Sequence, residues 1–335
     1  MDLKSHKGIL VIAEQRQDII QNGTYELLSK STELAEKLQC SVSVLALGKK
    51  LNETHAQEMA KFGADRIYIA NHHMLEHYCT ETYTKIICQF VQDHKPEVVL
   101  VSASTIGRDL APRISARLQT GLTADCTSLD IDEANHHLLM TRPAFGGNIL
   151  ATIVCPNHRP QMSTVRPGVF KKVAVDKNQT LMIDYIRVEL MPEDMNIDIL
   201  ETVYKKTEKK NIEEANILVS AGRGIGKKEN MKVLETLAKQ LGGLVSGSRA
   251  VVDAGWIEHH SQVGQTGKTV RPDVYFACGI SGAIQHIAGM EESDLIIAIN
   301  KNPTAPIFEN ADLGIITDVN QLIPALIEEL ACNQS

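Results

Sequence analysis

The chain has 335 residues, which is long for a single domain and predicts two domains of about 150 residues each. Its net charge of -7 and its aromatic content of 4% argue against nucleic acid as a partner, because nucleic-acid surfaces need basic side chains and stacking rings. The cysteines lack the close spacing of an iron–sulfur site, and no apolar stretch reaches the roughly 20 residues of a membrane span, so we expect a soluble, cytoplasmic protein that binds a protein or a small molecule.

The first hundred residues alternate between apolar runs and amphipathic helical patterns. Strands separated by single helices are typical of a mostly parallel sheet that is covered on both faces. We therefore predict an α/β domain in this part of the chain. The predicted strands are 8–13, 41–48, 66–70 and 97–102, and the predicted helices are 25–38, 56–62 and 83–93.

A helix capped by Ser104 or Thr105 is predicted next. It carries Arg108, Arg113 and Arg117, and the spacing places two of these arginines near one face. That face is either a solvated basic stripe or a surface close to a nucleotide, and the sequence supports both interpretations equally.

Short strands with turn residues between them follow over 129–173 and predict added antiparallel structure. Apolar patterning then thins and charge rises over 177–214, as in ETVYKKTEKKNIEEA. We place a linker at about 187–214. It separates an N-terminal domain, 1–206, from a C-terminal domain, 207–335.

The second domain repeats the alternation, and a polar or glycine-bearing loop follows each strand. In an open parallel sheet, ligands bind outside the carboxyl ends of the strands, where the loops converge. We therefore predict a doubly wound domain with one ligand site. The predicted strands are 216–220, 243–246, 274–278, 295–299 and 314–317, and the predicted helices are 229–241 and 321–330.

The loops of this predicted site suit a dinucleotide. Arg223 and Arg249 supply positive charge for a pyrophosphate, and Asp318 can accept hydrogen bonds from ribose or adenine. The Gly279–Gly282 turn supplies backbone donors, and the start of the helix after it adds roughly half a positive charge. Taken alone, GRGIG is better explained as a tight turn, because its spacing is not the GxGxxG of the usual nicotinamide fold.

Two further residues are ambiguous on their own. Thr266 lies in a polar loop, and His286 lies at a helix start, where a lone histidine is more often structural than functional. Three pairs of adjacent histidines, at 72–73, 136–137 and 259–260, point their side chains in different directions. We therefore expect no metal site.

The motifs of the second domain resemble the FAD-binding domain of the alpha subunit of electron-transfer flavoproteins. In order, they are LVSAGRGIG, SGSRAVVDAGW, QVGQTGKTVRPD, CGISGAIQH, AINKNPTAPIF and Asp318–Val319. The match spans the whole second domain, and the first domain is similar to the family's N-terminal α/β domain. The resemblance implies FAD as the cofactor. It implies FAD contacts from Arg223, Ser248, Arg249, Val263, Gly264, Gln265, Thr266, Ser281, Gly282, Ala283, Ile284, Gln285, His286, Asn300, Asp318 and Val319.

The resemblance also implies individual roles for three of these residues. In the family, the arginine that matches Arg249 lies over the flavin near N5, and the threonine that matches Thr266 hydrogen-bonds N5. The histidine that matches His286 reaches the pyrimidine carbonyl. These three are the expected flavin-tuning residues, because a donor or a cation beside the ring stabilises the negative charge of the reduced form.

In function, the resemblance implies an electron carrier that pairs with a beta subunit and exchanges single electrons with an acyl-CoA dehydrogenase. The runs TIGRDLAPRISARLQTGLTADCT, MTRPAFGGNILATIVC and RPQMSTVRPGVF are similar to the clostridial electron-bifurcating type. In that type, the beta subunit holds a second FAD, and the complex couples NADH oxidation to the reduction of ferredoxin and enoyl-CoA. Arg142 and Phe145 are then expected to face the second flavin across the subunit interface.

Two alternatives stay open. A non-bifurcating housekeeping carrier would hold AMP in the beta subunit in place of the second FAD. A nucleotide-binding sensor of the universal-stress type would share the α/β fold but would transfer no electrons. An independent NAD-dependent dehydrogenase is disfavoured, because no acidic residue follows GRGIG at the distance of about 20 residues that the nicotinamide fingerprint requires.

Overall fold

The computed structural model describes residues 3–144, 149–175, 181–197, 199–203 and 211–332. The chain divides into two compact units, Met1–Val203 (unit 1) and Tyr204–Ser335 (unit 2). The expected domain boundary at residue 206 lies outside the described residues. Among the residues that are described, no helix is both long enough and apolar enough to cross a bilayer.

The described part of unit 1 combines a large parallel sheet with two small antiparallel ones, of which the smaller pairs Gln15–Arg16 with Ile19–Ile20. Its strands are β1 (Ile9–Ala13), β2 (Gln15–Arg16), β3 (Ile19–Ile20), β4 (Val42–Gly48), β5 (Arg66–Asn71), β6 (Val98–Ser102), β7 (Leu122–Cys126), β8 (Ser128–Ile131), β9 (Leu138–Pro143), β10 (Leu150–Ile153), β11 (Gln161–Val165) and β12 (Met182–Tyr185). Its helices are α1 (Asn22–Leu38), α2 (Glu53–Lys61), α3 (Thr80–His94) and α4 (Thr105–Leu118). In the described part of unit 1, seven strands pair in parallel in the order β12-β5-β4-β1-β6-β11-β7, and β10-β9-β8 is antiparallel.

The parallel sheet of unit 1 is buried on both faces. In β1, Ile9 and Val11 pack on the side of α1 and α2, whereas Leu10 and Ile12 pack on the side of α3 and α4. The side chains divide in this way because successive residues of a strand point to opposite faces of the sheet. The predicted α/β class with a mostly parallel sheet is therefore confirmed.

The antiparallel structure that we predict for 129–173 is wrong for one strand. β11 lies in this range but pairs in parallel with both β6 and β7. All its residues are buried, as is typical of a central parallel strand. The polar Gln161 makes this strand look half-exposed in the sequence. Its amide can be buried because the oxygen accepts from the Leu138 N–H at 3.0 Å and the nitrogen donates to the Glu97 carboxylate at 3.1 Å.

In the described part of unit 2, five strands form one parallel sheet that packs against helices. Its strands are β13 (Ile217–Ala221), β14 (Leu244–Gly247), β15 (Val274–Cys278), β16 (Ile296–Asn300) and β17 (Leu313–Ile316), and its helices are α5 (Met231–Gln240), α6 (Arg249–Asp253), α7 (Ile284–Ile287) and α8 (Val319–Cys332). The strand order is β14-β13-β15-β16-β17. Helices α5 and α8 cover one face, and the other face packs Val263 and Val270 against Leu218 and Tyr275.

In the sheet of unit 2, β14 lies on one side of β13, and β15, β16 and β17 follow one another on the other side. The order of strands therefore reverses between β13 and β15. At this point the Gly222 N–H donates to the Cys278 carbonyl at 2.8 Å, and the Gly224 N–H donates to the Gly279 carbonyl at 3.0 Å. A Cβ atom on Gly222 would lie 2.2 Å from the Gly279 oxygen, so a larger residue does not fit. The loops that follow β13 and β15 are therefore held in contact.

Gly222→Ala is expected to destabilise unit 2 by about 2 to 3 kcal/mol, because the added methyl group meets backbone that cannot move independently. Gly242→Ala is a matched control, since Gly242 has a φ of 70° but nothing within 4 Å of an added Cβ. We expect it to cost only about 1 kcal/mol from backbone strain. Denaturant unfolding of both variants measures the difference, and equal losses would contradict the proposed close contact.

Candidate functional site

A cavity of about 840 Å³ lies at the carboxyl ends of the strands of unit 2. This is the position at which ligands bind in open parallel sheets, and the volume is within the range of roughly 300 to 1,000 Å³ of small-molecule sites. The loops after β13, β14, β15 and β16 all contribute to its wall. The lining residues are Gly222, Arg223, Gly224, Ser248, Arg249, Ala250, Asp253, Gln262, Val263, Gly264, Thr266, Gly279, Ile280, Ser281, Ala283, Gln285, His286, Asn300, Asn302, Ala305 and Pro306.

The cavity brings together most of the residues that the sequence predicts to bind FAD. Five predicted residues lie outside its lining. Of these, Val319 is in the core against α5, and Asp318 pairs with Lys301 at 2.7 Å. The predicted residues in the lining are Arg223, Ser248, Arg249, Val263, Gly264, Thr266, Ser281, Ala283, Gln285, His286 and Asn300, and those outside it are Gln265, Gly282, Ile284, Asp318 and Val319.

The positive charge of the cavity comes from two exposed arginines, Arg223 and Arg249. Arg249 begins α6, and its Nε lies 3.3 Å from the carboxylate of Asp253, four residues along the helix. Both side chains are mostly exposed, and such a pair is worth only about 0.5 kcal/mol. Arg249 can therefore leave Asp253 for a ligand at little cost. Sequence reasoning missed Asp253 as a site residue, because an i, i+4 spacing from an arginine is common on helices and does not by itself indicate a site.

The helix after the Gly279–Gly282 turn contributes less charge than we expect from the sequence. Helix α7 covers only Ile284–Ile287, which is about one turn. A dipole equivalent to half a charge requires several aligned turns, so the expected helix contribution is wrong in size. Attraction for an anion must come mainly from the arginine side chains and the backbone of the turn itself.

The loop before β15 is organised by Gln262, which sequence reasoning did not assign to the site. Its side chain is buried, and its Nε2 donates to the Thr266 Oγ1 at 3.0 Å. Its carbonyl also accepts from the Lys268 N–H at 2.8 Å. Because the Thr266 oxygen already accepts a hydrogen bond from Gln262, the Thr266 O–H can donate a hydrogen bond towards the cavity.

His286 is 6% exposed, and both of its ring nitrogens contact protein groups. Nδ1 lies 3.1 Å from the Val263 carbonyl, and Nε2 lies 2.9 Å from the Tyr275 hydroxyl. Burial lowers the pKa of His286 to about 4, although the Val263 carbonyl opposes the shift. A carbonyl only accepts, so the neutral ring carries its proton on Nδ1. The predicted bond to a flavin carbonyl would require His286 to give up one of these partners.

Asn300 ties two of the cavity loops together. Its Nδ2 donates to the Ile280 carbonyl at 2.8 Å, and its Oδ1 accepts from the Asn302 N–H at 3.0 Å. Asn300 therefore fixes the turn after β15 relative to the end of β16.

In unit 1, Arg142 lies on β9 beside a cluster around Asp125. Its Nε is buried without a hydrogen-bond partner among the described residues. Burial raises the pKa of Asp125, but the hydrogen bonds from Arg166, together with the charges of Arg166, Arg108 and Arg142, outweigh it and leave the pKa below its usual value. Phe145, the second residue predicted to face another flavin, lies outside the described residues.

The burial of His286 predicts a loss of stability in acid. Its folded pKa of about 4 lies below the ordinary 6.5, so between these values the unfolded chain binds a proton that the folded chain does not. Relative to His286→Asn, wild type is expected to lose about 2 kcal/mol of unfolding free energy between pH 7.5 and pH 5 and about 1 kcal/mol more by pH 4, with little further loss below it. Denaturant unfolding at each pH measures this, with exposed His259→Asn as the control. Parallel curves for wild type and His286→Asn would contradict it.

Two family models match the chain. The model described as the electron transfer flavoprotein domain matches residues 9–190, and the model described as the electron transfer flavoprotein FAD-binding domain matches residues 211–291. Together they cover most of both units. The second match includes the loops that follow β13, β14 and β15, and therefore most of the cavity wall.

Curated relatives match along nearly the whole chain. Protein FixB of Clostridium saccharobutylicum is 51% identical, and the electron transfer flavoprotein subunit alpha of Clostridium acetobutylicum is 49% identical, each over 98% of both chains. Subunit LctC of the lactate dehydrogenase (NAD(+),ferredoxin) of Acetobacterium woodii is 38% identical over 98% of this chain and 78% of its own. The chain belongs to the electron transfer flavoprotein alpha-subunit family.

Proposed function

We propose that this chain carries FAD in the cavity of unit 2 and passes single electrons as the alpha subunit of a cytoplasmic heterodimer. The observation that best supports the proposal is the cavity at the carboxyl ends of parallel strands, lined by Arg223 and Arg249. The match to a FAD-binding family model over the same loops supports it independently.

The residues of the cavity fit FAD in size and charge. Two arginines can offset the negative charges of a pyrophosphate, and their planar groups suit phosphate oxygens. Gly222 and Gly279 bring backbone to the cavity wall without a side chain between backbone and ligand. FAD supplies one-electron and two-electron redox chemistry when it is bound. The chain's own residues bind the cofactor, orient it and set the electrostatic field around it.

Within this proposal, Arg249 and Thr266 address the flavin ring. Among the described residues, Arg249 is held by an exposed ion pair with Asp253, so its charge is available to the ring. Thr266 is oriented by Gln262, which leaves its proton to donate into the cavity. Ser248 caps α6 only through its backbone, without a side-chain capping bond among the described residues, so its hydroxyl is available to the ligand.

Arg249→Gln is expected to lower the first one-electron potential of the loaded chain by roughly 65 to 130 mV. A hydrogen bond to a charged group contributes about 1.5 to 3 kcal/mol, and about 1.4 kcal/mol corresponds to tenfold, or about 59 mV for one electron. Lys232→Gln removes an equal charge on α5, outside the cavity lining, and is the matched control. Potentiometric titration followed by absorbance measures both. An unchanged potential in Arg249→Gln would contradict the proposed role of Arg249 in raising the flavin potential.

We further propose that the heterodimer is of the electron-bifurcating type, with a second FAD in the beta subunit. The name of the relative LctC, which includes both NAD(+) and ferredoxin, supports this. So do the runs MTRPAFGGNILATIVC and RPQMSTVRPGVF of unit 1. An acyl-CoA dehydrogenase is the proposed partner, with NADH and ferredoxin reacting through the complex, and Arg142 is proposed to face the second flavin.

Co-purification with the proposed beta subunit tests the bifurcating type directly. We expect two FAD molecules per heterodimer, together with NADH-dependent reduction of ferredoxin. One FAD with one AMP would contradict bifurcation and would favour the housekeeping carrier. A purified chain without a flavin spectrum, with or without the beta subunit, would instead favour a nucleotide-binding sensor.

A further inference from the structure

A buried polar cluster lies behind the cavity and involves Tyr275, His286, Ser220 and Ser246. Tyr275, on β15, is fully buried, and its hydroxyl lies 2.9 Å from the Nε2 of His286. The Val263 carbonyl holds the ring proton on Nδ1, so Nε2 of the neutral ring has only a lone pair. The Tyr275 hydroxyl must therefore be the donor in this bond.

Two serines from other strands of the sheet lie on the same face as Tyr275. Ser220 on β13 and Ser246 on β14 are partners in the parallel register and are both fully buried. Burial raises the pKa of Tyr275, and the Ser220 and Ser246 hydroxyls, placed near its oxygen, oppose the rise. Within the described part of the chain, neither serine oxygen has a partner at full hydrogen-bond geometry, so their contacts with Tyr275 are loose. Leaving two buried hydroxyls unpaired is costly, so unused bonding capacity surrounds the Tyr275 oxygen.

We propose that Tyr275 is a positioning residue for His286, and that Ser220 and Ser246 are the reserve acceptors that allow the Tyr275 hydroxyl to reverse its direction. With no negative charge in the cavity, the hydroxyl donates to Nε2 and keeps the ring neutral. With negative charge in the cavity, His286 gains a proton and the hydroxyl turns. This inference rests on the proposed function, because the first electron received by the bound flavin supplies that charge.

The reversal conserves atoms and charge. One proton from water adds to Nε2, and one N–H bond forms. Nε2–H then donates to the Tyr275 oxygen, and the Tyr275 O–H rotates about its C–O bond to donate to Ser220 or Ser246. No proton leaves Tyr275. The result is an imidazolium ring with both N–H groups bonded, at Val263 and Tyr275, and its charge offsets the electron that the cavity has received.

The surrounding groups explain why the charge of the cavity controls the change. Burial lowers the pKa of His286 and the Val263 carbonyl opposes the shift, so the buried ring stays neutral unless negative charge in the cavity offsets the cost of charging it. Arg223, Arg249 and Asp253 line the same cavity, with Asp253 paired to Arg249 at its exposed surface. Cys278 follows Tyr275 on β15, and burial raises the pKa of its thiol to about 12, so it stays neutral. In the described part of the chain, no carboxylate is among the groups that shift the pKa of His286.

The decisive comparison uses the FAD-loaded chain and its double variant Ser220→Ala/Ser246→Ala. In wild type, the first one-electron potential is expected to fall as pH rises from 5 to 7, because His286 takes up a proton with the electron. The equilibrium constant for this reduction should fall by nearly tenfold per pH unit. In the double variant, the reversed hydroxyl has no acceptor, so the proton affinity of the reduced state falls about tenfold or more and the slope weakens. Ser31→Ala removes an equally buried, unbonded hydroxyl in unit 1 and should leave the slope unchanged.

A second readout does not depend on the redox reaction. In ¹⁵N-histidine-labelled chain without FAD, His286 is expected to show a protonated Nδ1 and a bare Nε2 that accepts a hydrogen bond. In Tyr275→Phe, the ¹⁵N chemical shift of Nε2 should change to that of a nitrogen without a hydrogen bond, while Nδ1 stays protonated. A proton on Nε2 in the unloaded wild type would overturn the inference, as would identical pH slopes in wild type and the serine double variant. Failure to bind FAD would overturn the proposed function instead and would leave the unloaded NMR result interpretable.

Discussion

The contact between Gly222 and Gly279 is the constraint on which the rest of unit 2 depends. Their loops follow the two strands between which strand addition reverses, and a hydrogen bond from Gly222 to Cys278 closes the gap between those strands. Because no side chain separates the two loops, Arg223 and Ser281 reach the same cavity from different strands. The cavity is therefore a result of chain topology, and the residues on its rim decide what it binds.

The cavity combines mobile charge with fixed polarity. Its arginines are exposed and weakly held, so they can adapt to a ligand. In contrast, the side chains of Asn300 and His286 are tied to backbone carbonyls, and the side chain of Gln262 is tied to the Thr266 hydroxyl. Fixed dipoles need no reorganisation when charge arrives, which suits a carrier that must gain and lose single electrons rapidly. The buried hydroxyls behind His286 extend this polarity into the core.

Much of the fold could be predicted from the sequence, because buried parallel strands such as β1 and β15 are continuous apolar runs bounded by glycine or polar residues. The polar ends of those runs also predicted where the cavity lies. β11 was missed as a parallel strand because its polar side chains bond internally, and pairing direction is not encoded in periodicity. The size of the helix after Gly282 was overestimated, since α7 ends after about one turn.

The side-chain pairs of the site were harder to predict. Arg249 with Asp253 and Gln262 with Thr266 are four residues apart, but such spacing is common and becomes informative only once both members are known to line one cavity. Tyr275 was read simply as part of an apolar strand. Its proposed role depends on Ser220 and Ser246, which lie 55 and 29 residues earlier in the chain. The sheet brings these three residues to one face.

Hydrogen exchange of the chain with and without bound FAD most directly tests the claim that the cofactor occupies the cavity of unit 2. We expect protection on FAD binding in the loops after β13, β14 and β15, including 262–267, where the backbone borders the cavity. Residues 9–131 of unit 1 should change little in the isolated chain. Protection confined to unit 1, with unchanged exchange around Gly222 and Gly279, would contradict the assignment.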